Sequence, residues 1–135
     1  MAETATAERG QVLTSGNIDH LCRMNDIMGA GQVTVDGDYA YLGYMYGPEG
    51  TTILDISDPR KPKILTTLTV DNPQAHTHKV RVVGDIMVTN SEHRPQRDVR
   101  FEPGFDEGGV KIYDIKDRTN PKLITFHKTG GRGVH

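Results

Sequence analysis

The sequence has no tryptophan, three phenylalanines and a single cysteine, Cys22, in 135 residues. One thiol excludes an internal disulfide and any metal site built from cysteine alone. No run of ~18 apolar residues occurs, so no helix of this chain is expected to cross a membrane. Neither sign of charge dominates. The 16 Lys and Arg stand against 18 Asp and Glu, for a net charge of −2. That balance lacks the basic footprint of a general nucleic-acid binder. The N-terminal MAETATAERGQ lacks the basic and then apolar stretches of a secretory signal. With Met1 as the native start, cytoplasmic residence is the expectation. Apolar residues reach only 35%, against ~45–50% in ordinary domains counted with glycine. What is plentiful is turn-forming chemistry, with 15 glycines and 7 prolines. The length suits one domain.

The chain repeats itself. Residues 32–70 read QVTVDGDYAYLGYMYGPEGTTILDISDPRKPKILTTLTV. Residues 78–128 open with HKVRVVGDIMVTN and close with GGVKIYDIKDRTNPKLITFHK. Gly37-Asp38 aligns with Gly84-Asp85, whereas Asp55, Asp58 and Pro62 align with Asp114, Asp117 and Pro121 at a larger offset. The second copy therefore carries an insertion within residues 91–108. Each copy reads as four short strands. Val33 and Val35, like Val80 and Val82, alternate with polar neighbours as in a half-buried strand. Gly-Asp forms a tight hairpin turn where positive φ is needed. The second strands, YAYLGY and IMVTN, are rich in aromatic and β-branched residues. The aspartates of DISDP and DIKD read as turn punctuation rather than chemistry. Residues 129–135 resemble the start of a third copy. Residues 1–28 read as a tail, weakly ordered over 1–12, and an irregular lead-in.

Four antiparallel strands repeating at this interval suggest propeller blades. GDYAYLG followed by TTILDISDPRKPKIL, and GDIMVTN with GGVKIYDIKDRTNPKLI, resemble the LVIVD-repeat β-propeller family over residues 25–135. The blade punctuation and histidines are also similar, more distantly, to the selenium-binding protein propellers. The resemblance implies an all-β fold with two four-stranded antiparallel blades in a propeller segment over residues 29–135. A closed propeller needs ~4–8 blades. The expectation is therefore a fragment of a longer protein or a ring-completing oligomer, partnered by remaining blades or by self-association. Two blades alone are expected to expose apolar positions such as Val33, Ile53, Leu54, Val80 and Ile112, and not to persist as a folded monomer.

Six histidines are the main candidates for chemistry. His76 and His78 are two apart, which in extended backbone turns both imidazoles to one side. Imidazole suits copper, zinc or iron. His135 stands at the start of the third copy as His78 does in the second. By the resemblance, the entries to first strands and the loops between second and third strands share one face, which would gather His76, His78 and His135 as metal ligands. Glu92 and His93, at the base of the insertion, are the candidates for acid–base or supporting roles there. The first copy breaks the pattern, since Gln32 stands where a histidine is expected. His127 reads as an exposed residue of a fourth strand, and His20 has no pattern behind it. The mixed charges of the insertion, Arg94, Arg97, Asp98, Arg100, Glu102, Asp106 and Glu107, read as a solvated loop. Phe101 and Phe105 would pin it to the blade face, or contact a ligand or a neighbouring chain. Gly29-Ala30-Gly31 precedes a strand rather than a helix, and Gly130-Gly131-Arg132-Gly133 lacks the Lys-Ser/Thr of a phosphate loop. Two functions stay open. One is a metal-dependent propeller acting on a small molecule, with oxidation suggested by analogy alone. The alternative is a non-catalytic binding scaffold that uses the inserted loop to recognise a protein or ligand.

Overall fold

The computed structural model describes residues 15–27, 29–94 and 104–135. The expected tail over 1–12 lies outside them, as do Arg97, Asp98, Arg100, Phe101 and Glu102 of the insertion. The described residues form nine β-strands and no helix, so none of them is in a helix able to cross a membrane. β1 (Ala30–Asp36), β2 (Tyr39–Tyr44), β3 (Glu49–Asp55) and β4 (Lys63–Thr69) make one antiparallel sheet in chain order. The second sheet contains β5 (Ala75–His76), β6 (Val80–Val83), β7 (Ile86–His93), β8 (Gly109–Asp114) and β9 (Lys122–Lys128). Residues 15–27 form no strand and are tied down partly by the Cys22 thiol, which donates to the Pro59 carbonyl at 3.3 Å.

The two sheets are built by the same local chemistry. Gly37 (φ 56°) and Gly84 (φ 58°) each open a two-residue turn, and among the described residues only glycines take positive φ. Positive φ at the first turn position alone is the type II′ pattern, which follows the right-handed twist of the flanking strands. Asp38 and Asp85 then accept equivalent backbone bonds from Ile56 and Ile115, both at 2.8 Å. Asp55 accepts the Ser57 N–H at 2.9 Å and Asp114 the Lys116 N–H at 2.8 Å. Asp58 and Asp117 do the same for Arg60 and Thr119. These carboxylates form local Asx turns, as expected from the punctuation. Even the irregularity repeats: a bulge falls between Ile53 and Leu54 in one sheet and between Ile112 and Tyr113 in the other.

The first strand of the second sheet departs from expectation. It is not continuous from residue 78. It starts earlier and is split into β5 and β6, both paired with β7. The break has a physical reason. Thr77 leaves this sheet to bridge Tyr44 of the first, receiving the Tyr44 N–H at 3.2 Å, while its hydroxyl donates to the Gly50 carbonyl. β7 also runs on into the insertion as far as His93.

The sheets share one core. Tyr41 and Ile53 of the first pack with Val80, Met87 and Ile115 of the second, all 0% exposed. Each large apolar side chain removed from water contributes roughly 1.5–3 kcal/mol. This corrects part of the exposure expectation: Ile53 and Val80 are buried against each other's sheet, and Leu54 is buried as well, while Val33 is 60% exposed and Ile112 is half-buried. The inner edges are stitched by Thr34, which donates to the Val80 carbonyl at 2.9 Å, and by Gln32, whose side-chain oxygen accepts the Val80 N–H at 3.2 Å.

Candidate metal centre

The split strand is what brings the site together. β5 pairs with β7 in a register that sets His76 opposite Glu92. His78 follows after the excursion of Thr77. The two imidazoles stack with ring centroids 4.7 Å apart and an interplanar angle of 30°. Both residues are 5% exposed. Glu92 reaches up to them from β7. Its Oε2 lies 3.7 Å from His76 Nε2, 3.8 Å from His78 Nδ1 and 3.2 Å from His135 Nδ1. Ligand atoms of His76, His78 and Glu92 all stand within 4.8 Å of one another.

The distances discriminate between two arrangements. At 3.7 and 3.8 Å the buried imidazoles are beyond hydrogen-bond length from the carboxylate. Ligand atoms on one tetrahedral ion with bonds of ~2.0–2.2 Å stand about 3.4 Å apart. Among the described residues His76 Nδ1 and His78 Nδ1 are buried and have no hydrogen-bond partner, the nitrogen of His76 that faces Glu92 being Nε2. Buried polar atoms are nearly always paired, and at His78 the unpaired nitrogen is the one turned to the carboxylate, an arrangement that could hold an ion together with His76 Nε2. Burial holds the pKa of both histidines below the ordinary value, with the neighbouring His78 adding to the effect on His76 and Glu92 opposing it at each. The depressed pKa favours the neutral, ligating form.

The other candidates fall around this centre. His135 is the outermost, with its side chain 75% exposed and its ring 4.9 Å from that of His78. Its equivalence to His78 is structural. Gly133 bridges Glu92 as an antiparallel pair, which sets Val134 against Ser91, the counterpart of Tyr44; Tyr44 is bridged by Thr77. His78 and His135 are thus corresponding residues. In the first sheet the corresponding residue is Gly31, not Gln32: Val33 pairs with Leu42 as Val80 pairs with Thr89, so Gln32 matches Lys79. His93 is carried away from the cluster. Successive side chains alternate faces along a strand, and its ring meets Phe105 edge-on at 5.0 Å, both residues being buried. His127 and His20 are exposed.

One residue escapes a reading of the sequence. Asn90 is 6% exposed. Its amide nitrogen donates to Glu92 Oε2 at 3.3 Å and to the Val134 carbonyl at 3.0 Å, and its oxygen accepts the Lys79 N–H at 3.0 Å. It therefore fixes the carboxylate, the start of β6 and the segment carrying His135. The available signal was an amide standing within a strand where the first copy has Gly43.

With this geometry and repeat register in view, the comparison with known families is informative. Residues 29–69 match the LVIVD repeat. The matched span contains the whole first sheet, and the second sheet reproduces its turns, bulge and Asx bonds outside that span. No curated protein and no solved structure matches the chain.

Proposed function

We propose that this LVIVD-repeat chain is a metal-binding β-propeller segment. Its two sheets are adjacent blades, and a transition-metal ion is held by His76, His78 and Glu92 where the blades meet. His135 supplies a further imidazole from the entry to the next repeat. The observation that carries this reading is the pair of buried, stacked imidazoles whose His76 Nε2 and His78 Nδ1, the latter without a hydrogen-bond partner among the described residues, face one carboxylate oxygen. Two histidines and a carboxylate suit zinc, iron or copper, and leave coordination positions for water or a small molecule. Such an ion can polarise a bound oxygen as a Lewis acid. With copper or iron, it can also take part in oxidation of a small molecule.

The test is elemental analysis of the purified chain and titration of the chelator-treated protein with zinc, copper(II) and iron(II). One ion per chain is expected. Binding should be lost in His76→Ala and His78→Ala and retained in His127→Ala, whose ring is exposed on β9. Absence of binding, or binding indifferent to His78→Ala, would overturn the reading.

A further inference from the structure

At the seam between the two sheets, both of them contribute walls to one cavity. Gly47 and Pro48 of the β2–β3 connection, Val70, Asp71 and Pro73 of the β4–β5 connection, and Arg94 just past β7 line a space of about 370 Å³. That is within the ~300–1,000 Å³ of small-molecule sites. Backbone hydrogen bonds hold its shape. The Val70 N–H donates to the Pro48 carbonyl at 2.9 Å, the Ala75 N–H to the Asn72 carbonyl at 2.9 Å, and the Arg94 N–H to the Gln74 carbonyl at 2.6 Å.

Its two charges are the informative part. Arg94 is half-buried rather than solvated, with its guanidinium 4.2 Å from the centroid of the Tyr46 ring. Its Nε is buried and has no hydrogen-bond partner among the described residues. Asp71 is exposed. Both line the cavity, yet they form no ion pair with each other or with any other described residue. The rest of the lining, Gly47, Pro48, Val70 and Pro73, is apolar. Unpaired charges of opposite sign on one apolar cavity complement a molecule that carries both signs. An anion alone would meet repulsion from Asp71, and a cation alone from Arg94. The cavity also adjoins the histidine cluster. Arg94 lies two residues beyond Glu92 on a chain that stays paired with residues 74–76, and its charge helps to lower the His76 pKa.

We infer that this cavity binds a small zwitterion of the amino-acid class, with its carboxylate on the Arg94 guanidinium, its ammonium on Asp71 and an apolar side chain against Pro48, Val70 and Pro73. A carboxylate is the matching acceptor for a guanidinium, which can donate two parallel N–H bonds to it. This deepens the metal-site reading and rests on it in one respect, namely that the bound molecule lies beside the ion. Binding itself requires only the cavity.

The experiment is calorimetric titration of the full chain, metal-free and metal-loaded, with leucine and two shape-matches. 4-Methylpentanoate lacks the ammonium of leucine, and 3-methylbutylamine lacks its carboxylate. Leucine should bind both forms of the chain. Each shape-match should bind roughly tenfold more weakly or worse, since each gives up a hydrogen bond between charged groups. Arg94→Gln and Asp71→Asn, which change side chains outside the proposed ligand set, should each lower leucine affinity by a similar factor and leave metal content unchanged, and Arg94→Lys should recover part of what Arg94→Gln loses. Equal binding of the three compounds would mark a general apolar surface and overturn the inference. Leucine binding confined to the metal-loaded form and indifferent to Arg94→Gln would be direct chelation, and would overturn it too. No leucine binding by a chain that holds its metal would overturn it alone. Leucine binding that follows Arg94 and Asp71 in a chain that takes no metal would uphold the cavity and remove the metal reading.

Discussion

Gly43 of β2 lies directly against the carbonyl group of His78, so that a methyl group at this position would stand 2.6 Å from both its carbon and its oxygen. No backbone contact of that kind is tolerated, and neither sheet can yield without moving the histidine pair. Gly43→Ala should therefore destabilise the chain by about 1–3 kcal/mol, the usual range for overpacking, and also weaken metal binding. Gly37→Ala is the control. It strains a positive-φ turn at the far end of the hairpin, with open space around it, and should reduce stability in urea unfolding while leaving metal affinity intact.

Asn90 should behave as a positioning residue for Glu92. In Asn90→Asp the side chain keeps an acceptor for the Lys79 N–H but loses the donor to Glu92 Oε2 and the Val134 carbonyl, and it sets a second negative charge beside the carboxylate. Loss of such a supporting partner typically lowers metal affinity about 10–100-fold. Asn90→Ala additionally orphans the Lys79 N–H, a further cost of about 1–3 kcal/mol in stability. Competitive chelator titration separates the first effect, and urea unfolding the second.

The metal-free protein should lose stability on mild acidification. His76 and His78 have pKa values below the ordinary 6.5 in the folded chain, chiefly because burial disfavours the imidazolium. The unfolded chain therefore binds more protons between the lowered and the ordinary values. Stability from this source is complete above pH 6.5 and is lost as pH falls through the lowered folded values. Metal affinity should persist to lower pH than free imidazole would allow, then fall as these rings protonate. Unfolding midpoints across this range, compared with those of His76→Ala, test the assignment. An unchanged pH dependence in the variant would place the effect elsewhere.

Much of the architecture was legible because its determinants are local. Gly37 and Gly84 mark their turns by the need for positive φ, and Asp55, Asp58, Asp114 and Asp117 mark theirs by bonding N–H groups two residues on. The i, i+2 spacing of His76 and His78 likewise reports a shared side of extended chain. What was hidden depends on partners distant in sequence. The split between β5 and β6 arises from Thr77 reaching Tyr44 and Gly50 in the other sheet. The separation of Glu92 from His93 follows from β7 continuing past Ser91, which alternates their faces. Asn90 gains its role only when residues 79, 92 and 134 have met.

His135 should contribute less to metal affinity than His78, although the two correspond in the repeat. Their surroundings differ in the property that sets preorganisation. The His78 side chain is 7% exposed and its ring is stacked on His76, whereas that of His135 is 75% exposed. An exposed side chain retains rotamer freedom that must be given up on ligation, and its contact with Glu92 is screened by water. The backbone that carries it is nevertheless held: His93 N–H donates to the Arg132 carbonyl at 2.8 Å, and Asn90 to that of Val134 at 3.0 Å. Ligation by His135 should therefore add order to this segment rather than create the site. His135→Ala should lower affinity by about tenfold or less, corresponding to ~1.4 kcal/mol, while His78→Ala should abolish stoichiometric binding. Metal loading should also slow hydrogen exchange at the amides of residues 133–135 in the parent chain, and not in His135→Ala. Equal loss of metal in the two variants would make His135 a ligand of the same rank as His78. Unchanged affinity together with unchanged exchange would remove it from the ligand set.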